Sequence, residues 1–86
     1  MKNKVVVITT EGCEGCKIQI KNVKKAITYT SRIIDFDTFD YSEYKGPEKL
    51  TDFPTTLYYI DEELVGKDIG TQPVGYILGT FSHTFK

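Results

Sequence analysis

The chain holds two cysteines, Cys13 and Cys16, separated by Glu14-Gly15. A thiolate is the nucleophile of thiol–disulfide exchange, and a second sulfur one helical turn behind it can displace a bound partner by attack within the chain. The pair follows the apolar run Val5-Val6-Val7-Ile8 and precedes a helical pattern beginning at Lys17. It therefore stands where a strand hands over to a helix. Unpaired backbone N–H groups and the positive end of the helix dipole favour the thiolate there. Cys13 is predicted to attack, and Cys16 to resolve. A zinc site needs about four ligands, and the sequence offers these two cysteines and one histidine, His83. Zinc would have to recruit carboxylates or a second subunit. A metal-holding cysteine pair stays open as one alternative, and a non-catalytic binding module that uses the same groove as another.

The elements that position the pair can be read in order. Val5 to Thr10 is β-branched throughout, which predicts a strand buried on both faces at the centre of a sheet, with Thr9 to Gly12 as its exit loop. From Cys16 onward, Cys16, Ile20, Val23 and Ile27 recur at helical spacing, so this stripe is expected to face the sheet while the lysines between them meet solvent. Ile18 falls on the opposite side. It reads either as a scattered surface isoleucine or as a contact for a partner docking over Cys13.

Ile33 to Asp37 predicts a second strand, parallel to the first because a helix connects them. Asp35, Asp37 and Asp40 read as charges guarding an edge strand, since no glycine-bearing calcium loop accompanies them. A short helix is expected from Pro47 to Leu50. Leu57 to Ile60, the turn Asp61-Glu62-Glu63 and Leu64 to Ile69 predict an antiparallel hairpin. Pro54 precedes it and cannot donate to the ladder. A cis bond there would leave the backbone of Phe53 free to meet an extended ligand, while the Phe53 ring either packs under the hairpin or covers the cysteines. Pro73 to about Phe85 predicts a closing helix with Val74, Ile77, Leu78 and Phe81 inward, and His83 near its end suits the helix dipole.

Eighty-six residues, 40% of them hydrophobic, allow one modest core and one site. A net charge of −1 and a pI near 5.7 argue against a nucleic-acid surface. Met1-Lys2-Asn3-Lys4 leads into too short an apolar run for a signal peptide or a membrane span. A cytoplasmic location is expected, where a bare cysteine pair cycles rather than staples.

These features resemble the thioredoxin-like superfamily at the size of a glutaredoxin or minimal thioredoxin. The resemblance is carried by Cys13-Glu14-Gly15-Cys16-Lys17 after the first strand, by Phe53-Pro54-Thr55 at the place of the family's cis-proline, and by Gly70 after the fourth strand. It implies an α/β fold over residues 1–86: a central four-stranded mixed sheet with helices on both faces, in the order strand, helix, strand, helix, strand, strand, helix. It implies a dithiol–disulfide oxidoreductase that reduces protein disulfides through Cys13 and Cys16, with Pro54 shaping the substrate groove; Phe53, Thr55, Gly15 and Ile18 are the other residues expected to line it. No bound cofactor is expected in a monomer whose electrons come from a thioredoxin reductase-type protein or from glutathione. Two departures stand out. The buried aspartate of thioredoxins, six residues before the first cysteine, is Val7 here, which leaves water, Lys17 or Glu14 to move protons for Cys16. The glutaredoxin Gly-Gly-x-x-Asp is Gly70-Thr71-Gln72-Pro73, without the carboxylate.

Overall fold

A computed structural model describes residues 1–85. Strand β1 (Asn3–Thr9) carries Val5 to Ile8, all four buried, so it occupies the middle of the sheet as its unbroken apolar run predicts. Helix α1 (Glu14–Tyr29) follows, and β2 (Ile34–Asp40) returns parallel to β1 in the register Val5 to Phe36. Strands β3 (Thr55–Ile60) and β4 (Glu63–Ile69) form the antiparallel hairpin, and α2 (Val74–Thr84) closes the chain. The strand order is β2-β1-β3-β4, which makes β2 an edge. Asp37 meets Lys4 there at 3.8 Å, and Asp40 caps a single 3-10 turn at Tyr41–Glu43. Hydrogen bonds from Ser42 hold the Asp40 carboxyl below the usual carboxylate range.

Because side chains alternate across a strand, the sheet divides the core in two. Val5 and Val7 join Val23 and Ala26 of α1, Ile77 and Phe81 of α2, and Ile34, Tyr58 and Phe85. Each fully buried side chain of that size contributes about 1.5–3 kcal/mol. Tyr58, Phe81 and Phe85 stack mutually, with centroids 5.8–6.4 Å apart. The Tyr58 hydroxyl donates to Asp68 Oδ2 at 3.0 Å. Burial first, then the Asp68 charge, drives this phenol well above its ordinary range. On the opposite face Val6, Ile8 and Leu57 pack with Leu50, flanked by Tyr44, Phe53, Tyr59 and Leu64.

Both α-helices thus contribute to one face, which corrects the expectation of helices on both. The other face is covered by the irregular segment 44–54, and the helix expected from Pro47 to Leu50 does not form. Within this segment Leu50 and Pro54 are buried, and Leu50 packs on Val6, Ile8 and Leu57. The Tyr44 ring folds back over Gly46, where a Cβ would collide with the phenol.

Two boundaries and the inward stripe of α1 also move. Strand β2 starts at Ile34, leaving Ile33 exposed. The hairpin turn shrinks to Asp61-Glu62, both at positive φ (50° and 69°), the twist-matched geometry of a two-residue turn. Its Asp61 N–H donates to Lys2 O at 2.8 Å, and Lys2 N–H returns a bond to Asp61 Oδ1 at 2.8 Å. The buried side of α1 is Cys16, Gln19, Val23 and Ala26, with Ile20 and Ile27 only partly covered. The expected stripe is turned because Gln19 meets its polar needs internally and so takes a central place.

Candidate functional site

Cys13 is the N-cap of α1, in extended backbone (φ −93°, ψ 101°), and its Sγ accepts the N–H of Cys16 at 3.1 Å. The sulfur fills the place that a serine or aspartate oxygen takes at other helix starts. A negative charge on it is supported by that donor and by the dipole. The two cysteines are joined as a disulfide, with Cα atoms 5.3 Å apart. Their exposure differs: Cys13 is half-buried, whereas Cys16 retains 3% of its surface. A cleft of about 250 Å³ opens against both sulfurs, lined by Thr9, Thr10, Gly12, Glu14, Lys17 and Ile20. Gly12 turns the chain into it at φ 74°, a region open to glycine at little cost. Glu14 and Lys17 lie 3.6 Å apart on its rim, both well exposed, so their pairing contributes little.

Two further segments close on the pair. The Phe53–Pro54 bond is cis, and the Pro54 carbonyl accepts the N–H of Gly70 at 2.8 Å. Gly15 lies between: a Cβ there would stand 3.1 Å from Thr71 Oγ1 and 3.5 Å from Pro54 Cδ. The Thr71 hydroxyl donates to the Gly15 carbonyl at 3.2 Å. Gly15, Pro54 and Thr71 therefore touch beside the cysteines.

The other predicted groove residues stand differently. Ile18 is exposed at 51% and lies outside the cleft lining. Thr55 is buried, and its hydroxyl donates to Asp52 O at 2.7 Å, so its side chain closes the loop and does not face the sulfurs. The Phe53 ring packs against the Val6/Ile8 cluster and edge-on to Tyr41 at 5.2 Å. Among the described residues its N–H and carbonyl have no hydrogen-bond partner. His83 sits in the last turn of α2. Among the described residues no three His, Cys, Asp or Glu side chains converge as metal ligands, and no helix is long and apolar enough to cross a membrane.

Sequence reasoning passed over Thr71 and Gln19. Thr71 carried no signal beyond its place after Gly70. Gln19 had one: three residues after Cys16, it shares the inward face of α1.

No family model and no curated protein matches this sequence. Solved structures do resemble the fold. A thioredoxin-2, described as a component of the malaria parasite protein secretion machinery, superposes with a TM-score of 0.79 at 12% identity over 95% of this chain and 82% of its own. A malarial protein gives 0.80 at 11% identity with both chains fully covered. Chloroplastic thioredoxin z gives 0.75 at 12% identity over 96% of this chain and 78% of its own. The fold is thioredoxin-like, and the cysteine pair stands at the start of its first helix.

Proposed function

We propose that the chain is a dithiol–disulfide oxidoreductase that reduces disulfides in proteins. The observation that carries this reading is the asymmetry of the pair. Cys13 is reachable and receives a backbone N–H at 3.1 Å, while Cys16 is almost wholly covered behind it. In the first step the Cys13 thiolate attacks one sulfur of a substrate disulfide. That S–S bond breaks, a mixed disulfide forms, and the departing substrate thiolate takes a proton. Cys16 then loses its proton to water in the cleft or to the Glu14 carboxylate on its rim, with the Lys17 ammonium nearby favouring the thiolate, and its thiolate attacks Cys13 Sγ. The mixed disulfide breaks, the second substrate sulfur leaves as a thiolate and takes a proton, and the Cys13–Cys16 disulfide closes. Two electrons have passed to the substrate.

The groove is assigned to Gly15, Pro54, the unpaired main chain of Phe53, and Ile18 as an outer contact for the protein partner. An extended segment can pair with such a backbone. The protein works as a monomer in the cytoplasm without a bound cofactor. A thioredoxin reductase-type protein is favoured over glutathione as the electron source, because the Thr71 and Gln72 side chains are already engaged within the fold.

The test is a Cys16→Ser variant, which is expected to accumulate mixed disulfides with protein substrates through Cys13. In single-cysteine variants Cys13 is expected to alkylate faster than Cys16. Stoichiometric metal in the purified protein, with nothing trapped by either variant, would refute the reading.

A further inference from the structure

One turn behind Cys16, Gln19 is completely buried. A methionine or leucine would fill that volume without needing a single hydrogen bond, whereas a buried amide needs partners for its two N–H groups and its carbonyl. Gln19 finds them all away from its own helix. Its Nε2 donates to Thr56 Oγ1 at 2.8 Å and to Gln72 Oε1 at 2.8 Å, and its Oε1 accepts the Gln72 N–H at 2.9 Å. Asn22 Nδ2, on the same side of α1, donates to the Gln72 carbonyl at 2.9 Å.

Gln72 lies toward the far end of the link Gly70-Thr71-Gln72-Pro73 between β4 and α2, next to the N-cap Pro73. The other end of that link presses on the site: Gly70 binds the Pro54 carbonyl, and Thr71 binds the Gly15 carbonyl. One short strap thus touches both walls of the groove and is anchored at the far side by Gln19. We propose that Gln19 is a positioning residue, which sets the width and rigidity of the substrate groove by holding the strap against Gly15 and Pro54. The inference rests on the oxidoreductase reading and adds the residue that decides how well an extended protein disulfide is held. Gln19 touches neither the substrate nor, through any hydrogen bond, the sulfurs. Its loss should therefore weaken the grip on a peptide and leave the reactivity of Cys13 intact.

The experiment compares a peptide disulfide with a small aromatic disulfide, 5,5′-dithiobis(2-nitrobenzoate), which needs no groove. Gln19→Met keeps the volume and removes the three bonds. Thr71→Ala releases the strap at its exposed end and keeps the test alive if Gln19→Met fails to fold. Each variant is expected to raise KM for the peptide disulfide by roughly three- to tenfold, the worth of one or two neutral hydrogen bonds, with kcat within about twofold. The rate with the small disulfide should stay at the wild-type value. The double variant should be no worse than the more affected single one, since both act through one strap.

Wild-type KM in both variants, or equal slowing toward both disulfides, would overturn the assignment of Gln19 while leaving the oxidoreductase reading in place. A wild-type protein that reduces the peptide disulfide no better than free cysteine does would overturn both.

Discussion

Truncating Phe53 to alanine separates a ring that supports the fold from one that shapes the groove. A fully buried Phe→Ala change costs about 3–5 kcal/mol. Phe53 is half-buried against the Val6/Ile8 cluster, which scales the loss to about 2–3 kcal/mol. That sum includes the edge-on contact with Tyr41 at 5.2 Å, a pair worth roughly 0.5–1.5 kcal/mol. In a domain of this size 1 kcal/mol moves Tm by about 4–8 °C, so Phe53→Ala should melt roughly 10–20 °C below the wild type. Urea unfolding of both proteins, with the Cys13–Cys16 disulfide kept closed, measures the free energy directly, and a cycle with Tyr41→Ala isolates the ring pair. The rate with a small disulfide should not change. Stability within about 0.5 kcal/mol of wild type, together with an altered preference among disulfides, would show that the ring belongs to the groove.

Gly46→Ala puts a methyl where the Tyr44 phenol lies. It should destabilise by about 1–3 kcal/mol, and urea midpoints should show the loss largely relieved in a Tyr44→Leu background. Glu62→Gly relaxes a non-glycine residue held at φ 69°. A thermal melt should show a gain of a few tenths to about 1 kcal/mol, the left-handed strain relieved less the added freedom of the unfolded chain. Alkaline stability follows the tyrosines. Burial first, then the neighbouring Tyr44, pushes the Tyr59 phenol up to about 12, and Tyr58 is raised as well, while unfolded phenols titrate near 10. Their contribution is complete below about pH 10 and is lost as pH rises through the folded values, because only the unfolded chain releases those protons. Urea midpoints should fall across that range, less steeply in Tyr59→Phe and Tyr58→Phe, and an identical slope in all three proteins would contradict this.

What could be read from the sequence follows from how local each signal is. The unbroken β-branched run placed β1 at the centre of the sheet, and Cys-x-x-Cys between that run and a helical stripe placed the sulfurs at a helix start. Both depend on neighbours in the chain. The cover of the second face depends on distant ones. Leu50 alone does not make an amphipathic helix, and the element that does form nearby, the turn at Tyr41–Glu43, rests on Asp40 and Glu43 at capping-box spacing, a local signal that reading Asp40 as an edge-strand charge overlooks. Gln19 went unread because a polar residue announces no place in a core and its partners, Thr56 and Gln72, lie 37 and 53 residues away. Thr71 escaped for the same reason: its bond to Gly15 spans 56 residues. Phe53 remained ambiguous because nothing local chooses between the underside of a hairpin and a groove.

The covering of one sheet face by an irregular segment bears on which part of the protein opens first. Two helices close one side; residues 44–54 close the other, where only Leu50 and Pro54 are buried and Tyr44 and Phe53 are partly covered. Such a segment exchanges its amide hydrogens through sub-global openings that cost less than unfolding the sheet, so deuterium should enter at 44–52 well before β1 or α1. Pro54 stands at its end and is fastened to Gly70. The segment expected to open first therefore ends at Pro54, next to Gly15 of the cysteine pair, and each opening lends that contact a freedom that the helix bearing the sulfurs does not share.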